Sequence, residues 1–213
     1  MSRPLTIGLI AGEASGDQLG FKLIQALRQR VPDCRVIGVG GVMMTQEGLQ
    51  SLFPLSDIAV MGIFPVIARL PLLLRRIRET VAFFAAEQPD VLVLIDSPDF
   101  THRVARQLKK LNPALPIINY VSPTVWAWRP GRAKSMRAYI NHVLALLPFE
   151  PAAYRRLDGP DCTYVGHPLI ERLDELRPNP QEQAERESQP ATLLVLPGSR
   201  RSEIRRLMPV FGE

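Results

Sequence analysis

Apolar residues along this chain fall into short unbroken runs, separated by longer stretches with a helical stripe. The runs at 5–11, 35–39, 91–95, 117–121, 142–147, 163–165 and 192–196 have the length of strands. Most are continuous rather than alternating, as expected of strands covered on both faces. Between them, 18–30 places Leu19, Leu23, Ile24 and Leu27 on one helical face. The segment 63–87 repeats the pattern with Ile63, Ile67, Leu70, Leu74, Ile77, Val81 and Phe84. Further helices are predicted at 102–111, 132–140, 150–157 and 168–176. This βαβα order predicts an α/β fold: a Rossmann-like parallel sheet with helices on both faces.

From 177 to 190 the pattern stops. Arg177-Pro178-Asn179-Pro180 opens a Glu/Gln/Ser-rich stretch whose one apolar residue is Ala184, which reads as an exposed linker or surface loop. A strand, a turn and a helix start follow it. The predicted organisation is therefore a first domain over 1–176, a linker over 177–190, and the start of a second domain over 191–213. One strand, one turn and one helix cannot bury a core, so the expectation is a second domain cut short.

Composition narrows the class. The 213 residues are 46% hydrophobic and 22% charged, as in a soluble globular protein. Met1-Ser2-Arg3-Pro4 runs straight into the first strand, with no secretory signal. The longest apolar stretch, 59–74, is broken by Pro65, Arg69 and Pro71, so membrane contact is expected to be peripheral at most. Cys34 and Cys162 lack metal-ligand spacing, so neither a disulfide scaffold nor a metal site is expected.

The net charge of +5 is modest, but its distribution is not. From 100 to 149 there is no acidic residue, whereas Arg103, Arg106, Lys109, Lys110, Arg129, Arg132, Lys134 and Arg137 are all basic. Arg69, Arg75, Arg76 and Arg78 border the apolar stretch 63–74. An anionic partner is expected, such as a phosphate or a membrane surface. The alternative is a set of solvated helix faces. Nucleic acid is not expected, because the basic residues lack interleaved aromatics.

Candidate chemistry sits where predicted strands end. The first strand runs into Gly12-Glu13-Ala14-Ser15-Gly16-Asp17; its glycines allow close backbone approach, and a following helix start offers free N–H groups. Asp17 or Ser15 can equally be the helix N-cap. The turn fits neither a dinucleotide fingerprint nor a P-loop. The run 91–95 ends in Asp96-Ser97-Pro98-Asp99. Asp96 directly follows buried residues, so desolvation can raise its pKa towards that of a general base; Asp99 stands where a helix N-cap is expected. The run 117–121 leads into Ser122, Trp126, Trp128 and Arg129, a loop with stacking surfaces and a cation. Gly198-Ser199-Arg200 opens the last unit with backbone donors and a guanidinium suited to a diphosphate.

Taken together, AGEASGD (11–17), AVMGI (59–63), IDSPDF (95–100), YVSPTVWAWR (120–129), LPFE (147–150), VGHP (165–168) and LPGSR (196–200) resemble the lipid-A-disaccharide synthase family, in that family's order and across essentially the whole chain. The resemblance implies a two-domain GT-B glycosyltransferase of family 19. It implies transfer of a diacylglucosamine from UDP-2,3-diacylglucosamine to 2,3-diacylglucosamine-1-phosphate (lipid X), with inversion and release of UDP. It implies no metal and no cofactor. Asp96 matches the family's candidate general base, and Arg200 an arginine of the donor-diphosphate region. Gly12, Glu13, Ser15, Gly16, Asp17, Asp99, Ser122, Trp126, Arg129, Gly198 and Ser199 are then expected to line the cleft. Ile63, Val66, Ile67, Leu70, Leu73, Leu74, Arg75 and Arg76 are expected to meet anionic lipid, on the cytoplasmic face of the inner membrane. A homodimer is compatible with the family. The competing readings are another UDP-sugar enzyme of this fold, such as a UDP-GlcNAc 2-epimerase, or a non-enzymatic nucleotide- or lipid-binding module.

Overall fold

A computed structural model describes residues 3–59, 68–174, 177–186, 193–198 and 201–212. The chain divides into two compact units, 1–168 and 169–213.

The first unit is built on six parallel strands: β1 (Thr6–Ala11), β2 (Arg35–Val39), β3 (Val91–Ile95), β4 (Ile117–Tyr120), β5 (His142–Ala145) and β6 (Asp161–Tyr164). Their order is β2-β1-β3-β4-β5-β6. The crossovers carry α1 (Ala14–Arg30), α2 (Val42–Gln46), α3 (Leu70–Glu87), α4 (Pro98–Leu111), α5 (Gly131–Met136) and α6 (Glu150–Arg156). The expected Rossmann-like sheet is therefore present. The strand order reverses between β1 and β3, and a crevice opens at such a switch point beyond the strands' carboxyl ends.

Strands β1 to β4 feed two cores because their side chains alternate across the sheet. Ile7, Leu9 and Ala11 of β1 join Val93 and Ile95 of β3 against Ile24 of α1 and Met44 of α2. Ile10, Leu92 and Leu94 face the other way, onto Ile77, Val81 and Phe84 of α3 and Val104 and Leu108 of α4. This is why the apolar runs looked unbroken. Gly8 falls on the α3 side, where a Cβ would press to 2.7 Å from the Phe84 ring.

Several boundaries differ from expectation. α1 begins at Ala14, so the segment after β1 is a two-residue turn, Gly12-Glu13, and Ser15, Gly16 and Asp17 are already helical. α4 begins at Pro98 with Ser97 as its N-cap; Asp99 lies inside the first turn and caps nothing. A proline is well tolerated in the first turn because its missing N–H would be unsatisfied there anyway. The helix expected over 63–87 is described from residue 68, and α3 proper runs Leu70–Glu87.

The second unit carries α7 (Pro180–Arg186) and α8 (Arg201–Phe211). α7 lies within 177–190, the stretch whose composition reads as an exposed linker or surface loop. It starts from a reciprocal cap: the Glu182 N–H donates to Asn179 Oδ1 at 2.9 Å, and the Asn179 N–H to Glu182 Oε2 at 2.8 Å. The strand expected at 192–196 is not formed over its described residues, 193–196. A parallel strand exists only beside a neighbour, and no described residue of this unit supplies one.

Candidate functional site at the switch point

The carboxyl ends of β1 and β3 meet through Asp96. Its Oδ1 accepts the Gly12 N–H at 2.9 Å. Its Oδ2 is buried and has no hydrogen-bond partner. Gly12 and Gly16 make this proximity possible. A Cβ on Gly16 would overlap Asp96 Oδ2, and one on Gly12 would overlap Ser97. The strand end is held in an uncommon shape, with φ of 55° at Asp96 and 39° at Ser97. Thr101 of α4 secures it by hydrogen-bonding the Asp96 carbonyl at 3.0 Å and the Ser97 carbonyl at 3.1 Å.

Burial pushes the Asp96 carboxyl up from 3.8 to about 7, reinforced by the Glu13 charge. The Gly12 amide, the Ser97 hydroxyl and the Gly16 amide pull the other way without overcoming desolvation. A carboxyl of this kind is partly ionised at neutral pH and can take a proton from a hydroxyl.

Asp17 has a different task. It is 5% exposed, and its carboxylate accepts the N–H groups of Gly41 (2.7 Å), Met43 (2.9 Å) and Met44 (3.1 Å). It caps α2 from the flank of α1, rather than capping its own helix. Beside it lies an open cleft of about 1040 Å³, lined by Ala14 and Asp17 of α1, Val42 and Met43 of α2, and Leu52, Phe53 and Leu55 of the following loop. Ala14 and Asp17 bring the first turn of α1 to this cleft; Gly16 of the same turn is buried, on the side where an added Cβ would meet Asp96. Glu13 is half-buried and Ser15 is exposed.

The loop after β4 is only partly what the sequence promised. Ser122 is buried, bonding the Tyr154 hydroxyl at 3.0 Å and the Pro123 carbonyl at 2.8 Å, so it braces the loop. Trp126 packs edge-to-face on Phe149 with centroids 5.1 Å apart, and its indole N–H points to Glu150 Oε1 at 3.4 Å. Trp128 is exposed with the Arg129 guanidinium over its ring. Asp99 projects outward and pairs with Arg132 at 3.1 Å.

Part of the expected lipid-contact set is redirected. Arg76 is not free for an anionic surface. It pairs with Asp57 and with Glu79, both at 2.6 Å, and stacks on Phe53 at 4.7 Å. Leu73 packs against the α3-side core, whereas Leu70, Leu74 and Arg75 are exposed. Ile63, Val66 and Ile67 lie outside the described residues, as do Ser199 and Arg200. Gly198, with φ of 98°, belongs to the second unit. Much of the basic excess is also engaged: Lys109 reaches the Leu115 carbonyl and Asn141, and Lys134 and Arg137 pair with Asp158. No described helix is long and apolar enough to cross a membrane.

One buried group escaped the sequence reading. His102 of α4, 3% exposed, bonds Asn119 of β4 and Tyr139. A lone histidine within a helical stripe gives no local signal, and its partners lie 17 and 37 residues away.

Residues 7–213 match the family described as Lipid-A-disaccharide synthetase. The chain is 62% identical over 208 residues to the lipid-A-disaccharide synthase of Nitrobacter hamburgensis, covering 97% of this chain and 52% of that protein. It is 61% identical over 206 residues to that of Rhodopseudomonas palustris strain HaA2, and 46% identical over 213 residues to that of Rhodospirillum centenum, covering 96% and 99% of this chain and 52% and 53% of those proteins. Among solved structures it is similar to the crystal structure of Anabaena Alr3699/HepE in complex with UDP and glucose, with TM-score 0.47, 14% identity, and coverage of 86% of this chain and 51% of that one. The chain spans about half the length of the curated relatives it matches. The matched residues span the β1–α1 turn, the Asp96 loop and the tryptophan loop, and the chain belongs to the lipid-A-disaccharide synthetase family.

Proposed function

We propose that this chain supplies the acceptor side of an inverting glycosyltransferase. That enzyme condenses UDP-2,3-diacylglucosamine with 2,3-diacylglucosamine-1-phosphate to give the lipid A disaccharide 1-phosphate and UDP. The observation that carries the reading is Asp96, a carboxyl raised to about 7 by burial at the β1–β3 switch point. Asp96 takes the proton of the acceptor 6-hydroxyl as that oxygen attacks the donor's anomeric carbon. The bond from that carbon to the diphosphate breaks on the opposite face, and its electron pair leaves with UDP. The apolar cleft beside Asp17 gives an acyl chain of the acceptor somewhere to lie out of water.

The diphosphate side of the reaction falls to the segment carrying Gly198, Ser199 and Arg200, as the family resemblance implies. Backbone donors and a guanidinium there would stabilise the departing charge. The exposed Leu70, Leu74 and Arg75 are suited to an anionic bilayer surface, which supports a peripheral position on the inner membrane.

The test is an assay of the full reading frame with UDP-diacylglucosamine and lipid X. Disaccharide and UDP are expected in equal amounts, with Asp96→Ala reducing turnover by about 100-fold or more, the scale of a lost general base. Epimerisation of UDP-GlcNAc without disaccharide formation would overturn the reading in favour of the epimerase-like alternative.

A further inference from the structure

A directed chain of hydrogen bonds crosses the interior behind the site. Arg106 Nη2 donates to the Tyr139 hydroxyl oxygen at 3.1 Å. The Tyr139 hydroxyl lies 3.2 Å from His102 Nδ1, and His102 Nε2 lies 3.0 Å from Asn119 Oδ1. Asn119 Nδ2 donates to the Val121 carbonyl at 2.8 Å. This last bond fixes the sense of the others. With its amide N–H on Val121, Asn119 presents oxygen to the ring. His102 therefore carries its proton on Nε2 and accepts from Tyr139 on Nδ1. Burial, helped by the Arg132 and Arg106 charges and opposed by the Asn119 bond and Asp99, pushes His102 down to about 4, so it is neutral at working pH.

The chain ends on a strained residue. Val121 has φ of 74°. A β-branched side chain there is a true outlier and costs on the order of 1–3 kcal/mol unless its surroundings impose it. The location matters as much as the strain. β3 and β4 are in register with Ile95 opposite Tyr120, so the next residues, Asp96 and Val121, leave the sheet side by side. The Val121 side chain packs against the cluster containing Ala11 and Ile95, the residues that lead into Gly12 and Asp96. Consecutive residues of α4 thus secure both strand ends: Thr101 bonds the Asp96 carbonyl directly, and His102 reaches Val121 through Asn119.

We propose that His102 is a positioning residue: acting through Asn119, it holds Val121 in its left-handed conformation and so keeps closed the wall beside the Asp96 carboxyl. The proposal rests on the reading of Asp96 as the working base. Loss of the chain lets Val121 relax, admits water to the end of β3, and returns the Asp96 carboxyl towards ordinary carboxylate behaviour.

The experiment is a carbon-detected NMR titration of the Asp96 carboxyl in the 213-residue chain between pH 5 and 9, where His102 stays neutral. In His102→Leu the Asp96 midpoint is expected to fall by at least one pH unit. In His102→Gln, whose amide N–H can still reach Asn119, it is expected to recover most of that fall. Val121→Gly removes the conformational cost, since glycine enters this region freely; adding His102→Leu to it should then move the midpoint by no more than a few tenths. Should His102→Leu fail to fold, Asn119→Ala cuts the last link while leaving His102 in place, and the same fall is expected. A folded His102→Leu or Asn119→Ala whose Asp96 midpoint matches the parent overturns the relay alone. A parent carboxyl already ionised at pH 5, with no midpoint between pH 5 and 9, overturns the Asp96 reading and the relay together.

Discussion

Replacing Asp96 by asparagine should make the protein more stable in proportion to pH, while removing its chemistry. The unfolded carboxyl titrates near 3.8 and the folded one at about 7. Between those values the native chain holds a proton that the unfolded chain has lost, so stability falls as pH rises through this window. Each pH unit of separation is worth about 1.4 kcal/mol. The cost of keeping Asp96 ionised and buried is therefore about 4 kcal/mol at pH 8, and close to nothing at pH 4. Asparagine has the same shape, keeps an oxygen for the Gly12 N–H, and carries no charge at any pH. Its amide N–H would face the Gly16 backbone without an acceptor, a constant penalty of about 1 kcal/mol. The difference in unfolding free energy, variant minus parent, should start slightly negative at pH 4 and climb to roughly +3 kcal/mol at pH 8. Urea titrations of both chains at half-unit pH intervals measure it, and subtraction removes every group they share. A difference that stays flat within about 1 kcal/mol from pH 4 to 8 would refute the claim that burial perturbs Asp96. The basis for assigning it as the base would go with it.

Three further outcomes follow from named contacts. Arg76→Ala should lose about 1–2 kcal/mol by calorimetry, because it strips two carboxylates of their shared partner, whereas Arg75→Ala should stay within about 0.5 kcal/mol of the parent; equal effects would mean that the Asp57–Arg76–Glu79 cluster is not formed. Asp17→Ala leaves three backbone N–H groups without their acceptor and should cost about 2–3 kcal/mol; hydrogen exchange at the Met43 and Met44 amides should accelerate before global unfolding. Gly16→Ala and Gly131→Ala should move stability in opposite directions. The first drives a methyl into Asp96 and should lose about 1–3 kcal/mol, while the second, with nothing within 4 Å of the new methyl, should gain up to about 1 kcal/mol of helix propensity.

How much of this was legible in sequence depended on how local the cause was. β1 and β3 announced themselves because burial on both faces leaves no polar position to interrupt the run, and Asp96 was legible as the first polar residue after one of them. α2 was not, since Val42–Gln46 is too short for a stripe and takes its cap from Asp17, a residue of another helix. α7 has no apolar face, yet Asn179 and Glu182 spell its cap at the required spacing, a signal outweighed by composition. Arg76 read as a lipid contact because its partner Asp57 lies 19 residues back and nothing in the stripe reveals it. The strained φ values at Asp96 and Val121 have no sequence signature. Both arise where long-range contacts override the preference of the residue.

The open segment at 193–196 bears on how this chain behaves in solution. Leu193, Leu194 and Leu196 are 86%, 75% and 78% exposed, in a run of strand-forming residues with no strand beside it among the described residues of the second unit. Exposed apolar side chains in a strand-forming run outside any sheet are a template for pairing between copies. Colloidal behaviour, rather than the folding free energy of the first unit, will then set the concentration at which the isolated chain can be handled. A single charge introduced at the exposed Leu194 is the change that raises that ceiling.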